Sequence, residues 1–309
     1  MTNQESRVNM VSKLDIGKAF EQAWDIFKKS WKRLLGLQAI SAAGITVFYA
    51  FFMTGLKYFL PQIEENAFDN WIFPLVGVGA ALFILMLLLS VWITGANCIV
   101  VDRASTGESI TVTDALKAAW SSFGRLISFY LVVTGAILLI YAAIGIPIGF
   151  LISGAKGGEE RVAAVILLVV VLLFVFMIGL AVLSTWLWIK LGFVPFAIAV
   201  ERKSVGDSLR RSFGLSKNNF WASLAVIYLG SMIVGFAVSL VIYAIFIPTT
   251  FLSIASMIKM HSDDFLPFGF IIGIIIAMFI GQTAAGMGVW PLWGSVYANL
   301  SKASDSPQS

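Results

Sequence analysis

Six long apolar stretches run through this chain, and they constrain its fold more than any other feature of the sequence. They cover residues 34–60, 71–101, 126–152, 162–191, 221–246 and 265–300. A helix needs about 20 apolar residues to cross the hydrocarbon core of a bilayer. Each stretch meets that length, so the sequence predicts an all-α, polytopic membrane helix bundle with about six transmembrane helices.

The charged residues are too few to cover a water-exposed surface. They make up 12% of the chain, whereas soluble proteins average about 25%. The net charge of +4 does not indicate nucleic-acid binding, because the basic residues lie in short segments between the apolar stretches. The polar segment 1–14 has no apolar core of the kind that signal peptides carry, so we expect membrane insertion to depend on the first internal helix.

The basic residues alternate between the connecting segments. If the chain crosses six times, sixteen Lys and Arg residues fall on the side of the two termini and three fall on the other side. Lys and Arg are retained on the cytoplasmic side of a membrane. The sequence therefore predicts a multi-pass protein of a cytoplasmic (inner) membrane with both termini in the cytoplasm.

The segment before each pair of apolar stretches carries one shared pattern. Apolar or small residues recur at helical spacing, which is typical of one face of a helix. The three sets are Ile16, Ala19, Phe20, Ala23 and Trp24; Val112, Ala115, Leu116, Ala119 and Trp120; and Val205, Ser208, Leu209, Ser212 and Phe213. Asp15, Thr111 and Ser204 precede them in the same register and are good N-cap residues.

This pattern predicts three units within a single membrane domain. The units span residues 15–101, 111–200 and 204–300, followed by a polar tail at 301–309. Each unit contains an amphipathic helix and a two-helix hairpin, so all three enter the membrane from the same side as parallel repeats. We expect the amphipathic helices to lie along the inner membrane surface. The alternative is that each is a short helix docked on the protein's own loops.

The sequence offers no catalytic or metal site. It has one cysteine, Cys98, in an apolar stretch, and one histidine, His261, in a loop. Zinc sites require about four such ligands, and we expect no cofactor. All seventeen acidic residues fall outside the centres of the apolar stretches, which disfavours an ion-coupled pump. Asn97, Gln282 and Thr283 are polar residues within stretches, where interhelical hydrogen bonds explain them.

Six basic residues are candidates for contact with lipid headgroups: Lys28, Lys29, Arg125, Lys190, Arg210 and Arg211. Lys190 differs from the others because it lies within an apolar stretch. If its helix ran straight to Val200, Lys190 would lie about 15 Å inside the membrane. Pro195 offers a kink instead, and a long side chain can extend toward the headgroups. Two pairs, Gly145–Gly149 and Gly269–Gly273, have the GxxxG spacing that predicts close helix packing.

Residues 186–221 read WLWIKLGFVPFAIAVERKSVGDSLRRSFGLSKNNFW. This segment resembles the bacterial glycerophosphoryl diester phosphodiesterase membrane domain family and the related YciC-like uncharacterised membrane proteins. The shared features fall on Lys190, Pro195, Glu201, residues 207–212 and residues 215–221. The N-terminal segment IGKAFEQAWDIFKKSWKRLLG is also similar. The resemblance implies the membrane fold, and it implies no phosphodiesterase activity because the soluble catalytic domain is missing from this sequence.

Two functions are consistent with these features. The first is a non-enzymatic integral protein of the cytoplasmic membrane that acts in membrane or envelope homeostasis and contacts anionic lipids. The second is a transporter or lipid-translocating protein with a path between the hairpins, which predicts a polar cavity near Asn97, Lys190 or Gln282.

Overall fold

The computed structural model describes residues 14–64, 72–154, 159–260 and 268–305. These residues form nine α-helices and no strand. The helices are α1 (Ile16–Glu64), α2 (Ile72–Ser105), α3 (Val112–Trp120), α4 (Phe123–Gly154), α5 (Glu159–Leu191), α6 (Val194–Ala199), α7 (Val205–Lys217), α8 (Phe220–Met260) and α9 (Phe268–Asp305). His261 lies outside the described residues.

Six of these helices cover the six predicted apolar stretches. Among the described residues, five helices carry a segment long and apolar enough to cross a membrane: α1, α2, α4, α5 and α8. The sixth stretch lies in α9, which has 38 residues. The prediction of an all-α membrane helix bundle is confirmed, and the sixth crossing stays a prediction.

The first unit differs from its predicted form. An amphipathic helix separate from the first crossing was expected, but α1 runs without a break for 49 residues. The junction KKSWKRLLGL holds no proline and one glycine, so nothing in it interrupts the helical hydrogen bonds. In the other two units a turn does separate the short helix from the long one, at Ser121–Ser122 and at Asn218–Asn219.

The path after Lys190 excludes a straight helix to Val200. Helix α5 ends at Leu191, and a turn at Gly192 and Phe193 leads into α6, which has Pro195 in its first turn. The turn admits the ring of Trp293, because a Cβ on Gly192 would lie 2.0 Å from the Trp293 ring. The helix is therefore interrupted at Gly192, where the absence of a side chain makes room for Trp293. Pro195 lies in the first turn of the next helix, where its fixed φ is favourable.

The buried core lies at one end of the bundle. Here the N-terminal halves of α1, α4 and α8 meet the C-terminal ends of α2, α5 and α9, with α3, α6 and α7 between them. Close backbone approach supports the packing: a Cβ on Gly294 of α9 would lie 1.8 Å from the Val101 side chain of α2. We call this region, which holds residues 14–33, 102–126, 190–220 and 298–305, the basic end.

Away from the basic end, the α4–α5 hairpin buries almost none of its described side chains. No described side chain in residues 131–148 of α4 is buried, and Val169 is the only buried one described in residues 167–188 of α5. The GxxxG prediction is wrong for Gly145, which is exposed and has no atom within 4 Å of an added Cβ. The side chains at 149 and 269 lie outside the described set, whereas Gly273 is buried.

Candidate functional site at the basic end

Side-chain hydrogen bonds join nearly every element at the basic end. Asn219 accepts from the Leu14 amide at 2.9 Å and so links α8 to the start of α1. Asn299 of α9 donates to Gln22 of α1 at 2.7 Å. The remaining links are Trp92 to the Leu116 carbonyl at 2.9 Å and Ser212 to the Lys190 carbonyl. These bonds attach each of the three segments that carry the shared pattern to another long helix: α1 to α9, α3 to α2 and α7 to α5.

The three segments begin with the same capping bond. The side chains of Asp15, Thr111 and Ser204 each accept a hydrogen bond from the backbone amide three residues later, at 3.1, 3.1 and 3.2 Å. The donors are the amides of Lys18, Asp114 and Asp207. An N-cap of this kind satisfies an amide that the helix leaves unpaired. The predicted caps are confirmed at all three positions.

Equivalent positions in the three segments are buried alike. The small residues of the pattern face the bundle, and their exposed fractions do not exceed 5%. They are Ala19 and Ala23, Ala115 and Ala119, and Ser208 and Ser212. The aromatic residue that follows is exposed each time: Trp24 by 59%, Trp120 by 61% and Phe213 by 37%. Each segment therefore docks through its small side chains and presents one aromatic ring outward.

The exposed rings of the first two segments also have matching neighbours. Trp24 stacks on Phe27 with ring centroids 5.4 Å apart, and Trp120 stacks on Phe123 at 5.0 Å. Tryptophan rings placed beside basic residues are typical of the headgroup zone of a membrane, since the ring is apolar and its N–H is polar.

Glu201 is the centre of an ionic cluster between α6 and α7. Its carboxylate accepts from the Tyr297 hydroxyl and pairs with Lys203, and Arg211 Nε lies 3.4 Å away. Arg211 Nη2 also binds both carboxylate oxygens of Asp305 at 2.8 Å. The cluster ties the α6–α7 link to the end of α9.

The balance of effects on Glu201 favours its charged form. Burial alone would raise the pKa of its carboxyl, but the hydrogen bonds from Lys203 and Tyr297 and the charge of Arg211 outweigh burial and lower the pKa. The neighbouring turn is held from the other side, because the Arg125 guanidinium donates to the carbonyls of Arg202 and Lys203. The cluster therefore has a structural role, because it holds the α6–α7 link and α7 against the end of α9.

The structure distributes the six predicted contact residues among different environments. Arg125 and Arg211 donate to protein acceptors, as described above. Lys28 pairs with Asp25 at 3.1 Å and lies over the Trp24 ring at 5.7 Å. Lys29 and Arg210 are exposed, and their side chains have no ion pair or hydrogen bond within the described residues. The basic end thus has cations that are free for an external anion and others that are not.

Lys190 occupies a third kind of environment. It is 8% exposed. Its ammonium lies 6.0 Å from the Trp186 ring centroid, 5.8 Å from that of Phe213 and 6.0 Å from that of Phe220. These rings come from α5, α7 and α8, so three elements enclose one lysine.

The sequence did not single out Tyr297 and Asp305, and it gave Glu201 only as part of the family resemblance. A tyrosine near the end of an apolar stretch gives no signal for the distant carboxylate that it meets. Asn97 is buried as expected for a packing residue, but its Oδ1 has no partner among the described residues. Thr283 is satisfied by its own helix, through the Phe279 carbonyl at 2.8 Å, and Gln282 is exposed. The interhelical bonds expected for these residues are therefore not formed by Thr283 or by Asn97 Oδ1.

Comparison with known proteins gives one family. The profile described as domain of unknown function (DUF7847) matches residues 36–266, which is most of the chain. No curated protein and no solved structure matches the sequence. The match covers α2 to α8 and most of α1, and it supplies no activity.

Proposed function

The chain belongs to the family described as domain of unknown function DUF7847, and we propose that it is a non-enzymatic integral protein of the bacterial cytoplasmic membrane that acts in membrane homeostasis by contacting anionic lipids at its basic end. The observation that carries this proposal is the alternation of exposed aromatic rings and unpaired cations at that end. Trp24, Trp120 and Phe213 are exposed, while Lys29 and Arg210 form no ion pair with any described residue.

The proposal combines two contributions to membrane contact. Interfacial aromatic rings favour the headgroup zone. Each Lys or Arg near an anionic leaflet adds about 1 kcal/mol of attraction. Both groups are on segments that dock by small buried residues, and we infer that these segments are three equivalent amphipathic units repeated along the chain. Leu14 and Asp305, the first and last described residues, both lie at the basic end, and the charge bias predicts that the anionic surface beside this end is the cytoplasmic leaflet.

A non-enzymatic role agrees with the chemistry available. Within the described residues, no three side chains of His, Cys, Asp or Glu are grouped to hold a metal ion. Cys98 is fully buried, so as a thiol it is inaccessible to a substrate. Glu201, the best-positioned carboxylate, is occupied by three partners of its own.

The experiment compares the thermal stability of the purified full chain in two nanodiscs. One contains dioleoylphosphatidylcholine alone, and the other also contains dioleoylphosphatidylglycerol. We expect a higher melting temperature with the anionic lipid, and a smaller gain in the double variant Lys29→Gln, Arg210→Gln. A matched control removes two cations that the sequence predicts on the other side of the membrane, Lys156→Gln and Lys259→Gln, and should keep the full gain. Equal melting temperatures in the two nanodiscs would contradict the proposal.

Lipid translocation is the alternative, and the open α4–α5 hairpin favours it. Because residues 131–148 of α4 bury no described side chain and most are exposed, a lipid chain has access to much of the surface of that helix. A vesicle assay with a fluorescent headgroup lipid tests this function, since translocation exposes inner-leaflet label to an added quencher. Translocation faster than in protein-free vesicles would support the alternative over a purely anchoring role.

A further inference from the structure

Lys190 is the only charged side chain among the buried described residues. No carboxylate lies within 4 Å of its ammonium in the described part of the chain, although such pairs form around Glu201 nearby. Burying a charged side chain without a counter-ion is unfavourable. Such a charge persists where other interactions, or a ligand, offset the cost.

The aromatic rings around Lys190 favour its charged form. A cation is attracted to the face of an aromatic ring, and the centroids of three rings lie near 6 Å from the Lys190 ammonium. Lys217, at the end of α7, acts against this attraction because its charge repels that of Lys190. Lys190 therefore has a second cation near enough to repel it, and no carboxylate of the described residues forms an ion pair with it.

The geometry also differs from that of a lysine extending to water. A lysine of that kind covers its stem and exposes its head, whereas Lys190 as a whole is 8% exposed. Two of the enclosing rings still face outward, since Trp186 is 41% and Phe213 37% exposed. The side chain of Lys190 is thus largely covered, and its ammonium lies beside rings that reach the surface of the protein.

We propose that Lys190 and Lys217 form a binding site for a phosphate-bearing anion, with the rings of Trp186, Phe213 and Phe220 as its apolar wall. The site rests on the proposed function, which places the basic end against an anionic leaflet. The shared chemistry is a phosphate group, which either an anionic lipid or free phosphate supplies. The exposed rings favour the lipid, because an acyl chain would lie against them.

The test titrates the full chain in phosphatidylcholine nanodiscs with dioleoylphosphatidate, and in a separate arm with inorganic phosphate, and follows the melting temperature. Lys190→Gln removes a charge-assisted contact, and it should raise the lipid concentration at the midpoint of the titration by about tenfold or more. Lys217→Gln should shift the midpoint in the same direction, and Lys190→Arg should restore most of the affinity. The matched control is Lys117→Gln, which removes an exposed cation at the same end and should leave the midpoint close to that of the wild type.

The outcomes separate this site from the proposed function. If phosphatidate stabilises the wild type, and Lys190→Gln and Lys217→Gln keep the wild-type midpoint, the site is wrong and the broader lipid contact stands. If neither phosphatidate nor inorganic phosphate stabilises the wild type, both are wrong. If inorganic phosphate alone reproduces the effect, the site stands with free phosphate as its ligand. If Lys190→Gln fails to fold, Lys217→Gln and Phe213→Leu carry the same comparison.

Discussion

At the basic end, Glu201 joins three residues, which are Lys203, Arg211 and Tyr297. Its side chain is 20% exposed and meets groups from α7, α9 and the link between α6 and α7. We expect Glu201→Gln to lower the free energy of unfolding by about 1.5–3 kcal/mol, which is typical of losing hydrogen bonds to a charged group. Thermal melting in detergent measures the loss.

A matched control for this variant lies just before α3. Glu108 lies three residues before the cap Thr111, as Glu201 lies before Ser204, and it also pairs with an arginine. Both partners of that pair are more than half exposed, and exposed pairs contribute about 0–1 kcal/mol. Glu108→Gln should therefore cost much less. If the two variants lowered the free energy of unfolding equally, the cluster around Glu201 would not have the structural role described above.

The same carboxylate predicts how stability depends on pH. The pKa of Glu201 in the folded protein lies below its ordinary value of 4.5. A lowered pKa stabilises the fold fully above the ordinary value, and this contribution is lost as the pH falls through the folded value. Between about pH 6 and about pH 3, the wild type should lose more stability than Glu201→Gln. Parallel melting curves for the two proteins over this range would contradict the assignment.

At the scale of elements, the helix starts were predictable and some of the helix ends were not. Asp15, Thr111 and Ser204 were identified from their register, because capping depends on residues within one turn of each other. The continuity of α1 was not predicted. A change from an amphipathic to an apolar pattern does not show whether the helix ends at that change or continues through it. The sequence points to a kink at Pro195, whereas the helix ends before Gly192. The contact that favours a turn at Gly192 is with the ring of Trp293, about a hundred residues later in the sequence, and no local pattern indicates it.

The cap of α7 offers a test at this scale. Ser204→Ala removes the acceptor for the Asp207 amide and should destabilise the helix by about 1 kcal/mol. Hydrogen exchange of the α7 amides should become faster, while exchange in α3 should not change. Ser204→Asp keeps an acceptor in the same place and should exchange like the wild type. Unchanged exchange in Ser204→Ala would mean that burial of Ser208 and Ser212 alone holds α7.

At the scale of the whole molecule, one end of the bundle holds both the packing and the charge. The first helix of every hairpin starts there, and the second helix returns there. Lys29 of α1 and Arg210 of α7 are both exposed at this end. In the proposed arrangement of parallel units, all of the basic segments would face one leaflet, and the charge bias predicts that this leaflet is the cytoplasmic one.

Cysteine labelling tests that orientation. In a Cys98→Ala background, Lys29→Cys and Arg210→Cys place exposed thiols at the basic end, and Asn66→Cys places one in the predicted opposite loop, which lies outside the described residues. A membrane-impermeant maleimide added to intact spheroplasts should label the variant at 66 and leave those at 29 and 210 unlabelled until the membrane is broken. Labelling at 29 or 210 in intact spheroplasts would place the basic end outside, and the anionic inner leaflet would then lie on the opposite side of the membrane from Trp24, Trp120 and Lys190.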